Sequence, residues 1–219
     1  MDIMHFPFQS GKTFLLFDDN RDSCIDFTML LLDTYPTIDK VNMYGYSFPI
    51  DHKKSYNVHD EVKYDPNTIE ILLNDIVSMH HSYKSNELKK RCHIFKMHPN
   101  NINNSQFIDL ISMSNVFNIT NIIFMDNINK IRPSLKYNIS YILVNKKMSH
   151  LINDIAKNDL FSYEYPYSSY NTDMKFVQQG GYLAHIYLDG VDSVLPYTSM
   201  GYGNINETYN DDDKMTVCI

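Results

Sequence analysis

The 219-residue sequence contains no tryptophan, and its three cysteines, Cys24, Cys92 and Cys218, stand far apart. Without a CxxC pair, neither a zinc ribbon nor a disulfide framework is indicated, and the thiols read as small buried hydrophobes plus one in the tail. No apolar run approaches the ~18 residues of a membrane span. The opening residues, MDIMHFPF, lack the basic start and long apolar core of a signal peptide. These absences predict an intracellular protein with no membrane partner. Positive charge is also short, with 19 bases against 26 acids and a net charge of −7. That argues against an extended nucleic-acid-binding surface while leaving room for a local basic patch.

What is present suffices for a sizeable core: 43% of residues are hydrophobic and 21% charged, ordinary values for a globular chain of one domain, or one domain with an appendage. Residues 14–46 set the pattern that the other elements copy. Phe14–Phe17 is wholly apolar and Asp18–Asp22 is wholly polar. Ser23–Leu32 then reads as a helix apolar on nearly all sides, Pro36 ends it, and Val41–Tyr46 reads as a second strand. Strands and helices apolar on both sides belong to a parallel α/β sheet. In such sheets ligands bind at the loops leaving the carboxyl ends of strands, which places the first such loop at Asp18–Ser23. That loop is acidic and has no glycine.

Residues 47–64, with His52, Lys53, Lys54 and His59, read as a surface connection with one short strand at Glu61–Tyr64. Asp65-Pro66 opens a helix, and Ile69, Leu72, Leu73, Ile76 and Val77 recur at amphipathic spacing as far as His80. Ser82–Arg91 is basic and reads as a loop or frayed helix end, and Cys92–Met97 as the third strand. Ser105 caps a helix through Met113, Ile119–Met125 and Ile139–Val144 are the fourth and fifth strands, and Met148–Ile155 is a last helix. The alternation β-α-β-α-β-α-β-β-α predicts a doubly wound, mainly parallel sheet with helices on both faces over residues 1–158. Residues 159–219 form a tyrosine-rich appendage holding nine of the 17 tyrosines, and an acidic tail at Asn210–Lys214. Gly180-Gly181 there sits between Met174–Gln178 and Tyr182–Leu188, which read as a hairpin or a pair of edge strands. The appendage is expected to pack on the sheet domain or on another chain.

Three stretches are candidates for chemistry. Ser10-Gly11-Lys12-Thr13 matches the end of the phosphate-binding pattern GxxxxGK[ST], whose amides cradle phosphates, whose lysine reaches the terminal ones and whose hydroxyl binds Mg²⁺. Here the first glycine is replaced by Phe6, Pro7 removes an amide, and the following residues read as strand where the pattern requires helix. Leu15–Asp19 has the form of a Walker B strand ending in two acids, yet it lies too close to Lys12, since the two motifs belong to separate strands; the competing reading is an acidic helix cap at Asp22 or Ser23. Ile122–Asn127 again ends in an acid, Asp126. His80, His81, His93 and His98 have no acidic partner at ligand spacing, and His93 reads as a structural histidine.

Several stretches between residues 14 and 158 resemble FtsK–HerA-type DNA-packaging ATPases of poxviruses and other large DNA viruses. Asp39–Tyr44 is similar to that family's second strand, and His59–Glu61, the helix from 66 and the basic stretch 84–91 are similar to what precedes its Walker B strand. Asn118–Met125 looks like the sensor strand, and Ile131–Tyr141 looks like the segment after it. The resemblance implies a P-loop-NTPase-like fold. In its register the phosphate loop falls on Asp18–Cys24, with Asp22, Ser23 and Cys24 where the family has Gly, Lys and Ser/Thr. Walker B falls on Ile94–His98, with Met97 and His98 in place of two acids, and Asp126 replaces the sensor glutamine.

The expectation is therefore a degenerate, non-hydrolysing relative of viral packaging ATPases, with no catalytic residue and no cofactor, which binds a protein partner or itself in a viral factory or virion. The enzymatic alternative is an active ATPase using ATP and Mg²⁺, with Gly11, Lys12 and Thr13 on nucleotide and Asp18 or Asp126 on the metal. A third reading is a virion structural protein whose tyrosines pack against a neighbour.

Overall fold

In the computed structural model, the residues described are 8–19, 28–29, 38, 40–44, 57–62, 66–82, 84–97, 99–128, 130–157, 160, 167–177, 181–188 and 191–197. Most of the expected helix at 23–32 lies outside them, but Thr28 and Met29 are helical and buried. Asp22, Ser23, Cys24, His98 and the tail from residue 198 also lie outside.

The apolar runs become strands because no polar atom interrupts them on either face. Strand β1 is Thr13–Phe17, buried along its whole length. It is followed by β2 (Lys40–Tyr44), β3 (Asn57–Val62), β4 (Arg91–Lys96), β5 (Thr120–Met125) and β6 (Tyr141–Asn145). An antiparallel pair, β7 (Tyr182–Leu188) and β8 (Val191–Tyr197), completes one eight-stranded sheet in the order β3-β2-β4-β5-β1-β6-β7-β8. Strands β1 to β6 are all parallel. The five strands expected from the sequence thus lie in one parallel arrangement, with β1 between β5 and β6.

Although the strands are apolar throughout, their side chains alternate between two cores, as the two-residue period requires. Leu15, Phe17, Phe95, Ile123, Met125, Ile142 and Val144 face one layer. Helices α1 (Pro66–His81) and α3 (Ser105–Val116) cover that layer through Ile69, Leu72, Ile76 and Met79 and through Phe107, Ile108, Leu110 and Ile111. Phe14, Leu16, Ile94, Ile122, Phe124, Tyr141 and Leu143 face the other, where Met29 and Ile38 pack. Met29 and Ile38, from the connection between β1 and β2, thus pack on the face opposite the one that α1 and α3 cover.

Several local expectations are corrected. The stretch Ser82–Arg91 holds a one-turn helix, α2 (Ser85–Leu88), pinned by fully buried Leu88, and Arg91 already belongs to β4. Asn104, not Ser105, caps α3, its Oδ1 accepting from the amides of Gln106 and Phe107. The expected strand at Glu61–Tyr64 begins earlier, at Asn57. A short helix, α4 (Pro133–Lys136), precedes β6, and β6 leads into a 3₁₀ segment, Lys146–Leu151, and α5 (Ile152–Lys157). Met174–Gln178 is no strand: residues to Phe176 form helix α6 (Tyr167–Phe176), whose Tyr170 and Met174, with Val177 just beyond, are buried at helical spacing. The hairpin lies later, where Leu188 pairs with Val191 across Asp189-Gly190. The sheet runs on across residue 158, since β7 pairs with β6.

Candidate functional site

The carboxyl end of the parallel sheet is where this topology places a ligand. Three adjacent strands there contribute one row of polar side chains. Phe17 pairs with Val144, and Asn145 pairs with Tyr182, so Asp18, Asn145 and Tyr182 follow one another across β1, β6 and β7. Asp18 is 5% exposed. Its Oδ2 accepts from Asn145 Nδ2 at 2.9 Å and from the Tyr182 hydroxyl at 2.6 Å, and its amide donates to the Met125 carbonyl at 3.0 Å. Asn145 is held in turn, its Oδ1 accepting from the Lys147 amide at 2.9 Å. The Lys146 amide donates to the Gly181 carbonyl at 2.9 Å, and Lys146 Nζ donates to the Met174 carbonyl. A buried carboxylate without such donors would be costly; two directed donors make this one tolerable and fix its position.

Neighbouring strand ends differ in exposure. Asp126 and Asn127, after β5, are exposed, and the Asn127 side chain turns back to accept from the Ile128 amide at 2.7 Å. Met97, after β4, is buried and apolar. Among the described residues no three His, Cys, Asp or Glu side chains come together as a metal site would need.

The Ser10-Gly11-Lys12-Thr13 motif lies at the other end of the same strand, about 17 Å away for five residues at ~3.3 Å each. Gly11 has φ +78°, and a Cβ there would fall 2.6 Å from the Asn118 Cα, so only glycine fits. Its amide donates to Thr120 Oγ1 at 2.9 Å. The Lys12 carbonyl accepts from the Asn121 amide at 3.1 Å. Thr13 is the first residue of β1, fully buried, and its hydroxyl donates to Asn115 Oδ1 at 2.9 Å. Asn115 also donates to Asn138, whose own amide reaches Ser112 Oγ and the Ser134 carbonyl. These residues splice β1 to the end of α3 and to α4.

Of the residues singled out for nucleotide or metal, Asp18 and Asp126 therefore follow adjacent strands at the carboxyl end, whereas Gly11, Lys12 and Thr13 lie together at the amino end. The donor set does not fit a Mg²⁺-triphosphate: the amide and the hydroxyl that the motif would offer are engaged at the wrong end, and the carboxylate at the right end is buried and already bonded. Asn145 and Tyr182 had not been singled out. They lie 127 and 164 residues from Asp18, and only the strand pairing brings them there.

His93 is structural in setting. It is fully buried between the edges of Tyr44 and Phe95, and neither ring nitrogen has a partner. Burial first, and then the nearby Arg91 cation, hold its pKa down at about 4 against the opposing pull of Asp75. Arg91 itself is paired with Asp75 at 2.7 Å. Burial also pushes the Cys92 thiol up, which makes it inert.

No protein-family model and no curated protein sequence matches this chain. Its fold does match solved structures. It is similar to B204, the DNA-packaging ATPase of Sulfolobus turreted icosahedral virus, with a TM-score of 0.53 and 11% identity over 85% of this chain and 98% of that one. The genome-packaging NTPase B204 of Sulfolobus turreted icosahedral virus 2, in complex with sulfate, gives a TM-score of 0.57 and 10% identity over 86% and 96%. ATPases 2 and 3 of EssC from Geobacillus thermodenitrificans give 0.53 and 12% over 89% of this chain and 41% of that one. At such identities the likeness is one of fold, that of P-loop ATPases.

Proposed function

We propose that this chain, starting from a packaging-ATPase fold, acts as a non-hydrolysing binding or assembly component in the formation of a viral particle. One observation carries the reading: at the carboxyl end of β1, where the fold would receive phosphate, stands the buried carboxylate of Asp18, held by Asn145 and Tyr182. That acid stands in place of the convergent amides and lysine from which a phosphate loop gains affinity. Asp19 stands next to it, exposed, and Asp22 adds a third acid to the same connection. Met97 puts a thioether where Mg²⁺ chemistry needs a carboxylate. With neither cradle nor metal ligand, ATP and Mg²⁺ have no role in this account, and the surface of the fold becomes the functional part. Partners are other proteins or further copies of the chain.

The test is turnover. Purified chain at saturating Mg²⁺-ATP releases no phosphate above the enzyme-free blank. Turnover that disappears in Asp126→Asn would restore the active ATPase.

A further inference from the structure

Among the described residues six buried side-chain atoms have no hydrogen-bond partner. Five of them belong to the amino-end halves of β4 and β5 and to the end of α3: Arg91 Nε, both ring nitrogens of His93, Asn121 Oδ1 and Ser114 Oγ. Buried polar atoms in folded proteins are almost always bonded, to protein or to an internal water, so five in one region call for a partner.

Strand pairing shows where that partner sits. His93 pairs with Asn121 and Asn121 with Thr13, so the three follow one another across β4, β5 and β1. The two-residue period puts them on the face of Leu15, Phe95 and Ile123, under α1 and α3. Asn121 Nδ2 donates to Thr13 Oγ1 at 3.4 Å and to the Ile119 carbonyl at 3.3 Å. The planar amide then turns Oδ1 away from β1, to the side on which β4 carries His93. Adjacent strands lie ~4.8 Å apart, a gap that one water spans where no direct bond joins the side chains. Ser114 is fixed at the same end, its carbonyl accepting from the Ile119 amide at 2.8 Å. It continues the buried line of Phe107 and Ile111 along α3 with a single hydroxyl, which leaves space that an isoleucine would fill.

The donors and acceptors choose the occupant. With a pKa of about 4, His93 is neutral at pH 7 and offers one N–H and one lone pair. Asn121 Oδ1 only accepts, so it repels an anion. A metal cation would lie beside the Arg91 guanidinium. Water both accepts and donates. We propose that one ordered water occupies this row, accepting from the His93 ring N–H and donating to Asn121 Oδ1 and Ser114 Oγ. Three such bonds are the usual number for an internal water. They join β4, β5 and the end of α3 into one hydrogen-bonded unit, whatever the chain binds elsewhere.

Oxygen-17 relaxation dispersion, which counts waters held inside a protein in solution, tests this on the full chain at pH 7. His93→Phe, which keeps a ring and removes its nitrogens, loses one long-lived water relative to the unmodified chain. Ser114→Val, which fills the space, loses the same one, and the double variant loses no more than either. Dispersion unchanged in either variant would overturn the proposal. A crystal structure of the unmodified chain gives a second reading that does not depend on the variants folding. It shows a water within about 3.2 Å of a His93 nitrogen and of Asn121 Oδ1. A direct His93–Asn121 hydrogen bond in its place, or no density between the two, would overturn the proposal as well.

Discussion

At the amino end of the sheet, Gly11 and Thr13 are bound into a network of asparagines, serines and threonines that carries no charge. At the carboxyl end, one buried carboxylate is bound by an amide and a phenol. The first end has the residue types of a phosphate loop at the edge opposite the one where such sheets receive ligands. The second has the place, but an acid there in the stead of a lysine. The pattern Gly-Lys-Thr gains its chemistry only when a strand delivers it to a helix N-terminus, and here it precedes a strand. Position in the topology decides the matter, and composition follows it.

The comparison breaks most visibly under acid. The amino-end network has no titrating side chain, so pH sensitivity in this layer traces to His93. Its folded pKa, about 4, lies below the unfolded value of 6.5. Below pH 6.5 the unfolded chain takes up a proton that the folded chain refuses. Stability therefore falls as pH drops from 6.5 to 4 and levels off below, by about 3 kcal/mol. Urea titrations across that range check it, and His93→Phe removes this component of the slope.

Gly11→Ala separates a structural from a ligand-binding glycine. A side chain at φ +78° against the Asn118 backbone costs about 2–3 kcal/mol in urea unfolding. A glycine serving only a ligand would lose no stability. Asp18→Ala probes the other end: the Tyr182 hydroxyl and the Asn145 amide lose their acceptor, at a cost of about 2 kcal/mol. The loss is the same with or without Mg²⁺. A metal ligand would behave otherwise, since its removal would relieve repulsion and abolish any stabilisation by the ion.

The parallel sheet was legible because Phe14–Phe17, Ile122–Met125 and Tyr141–Val144 leave no alternative to burial on two sides. The hairpin was misplaced because Gly180-Gly181 is a conspicuous turn signal. Tyr170, Met174 and Val177 nevertheless stand at helical spacing, and Asp189-Gly190 between apolar runs is the stronger hairpin mark. Asp18 could be placed at a strand end from sequence alone. Its partners could not, because they come from strands β6 and β7, and pairing between distant strands leaves no local trace. At Ser10–Thr13 the glycine makes a left-handed turn and the threonine a splice to Asn115, and neither partner is legible in the local sequence.

Calorimetry with ATP and Mg²⁺ on the unmodified chain, beside Lys12→Ala, tests the central claim most directly. The account predicts no measurable heat of binding for either protein. Micromolar binding that Lys12→Ala abolishes would contradict it and return the nucleotide to the amino end of β1.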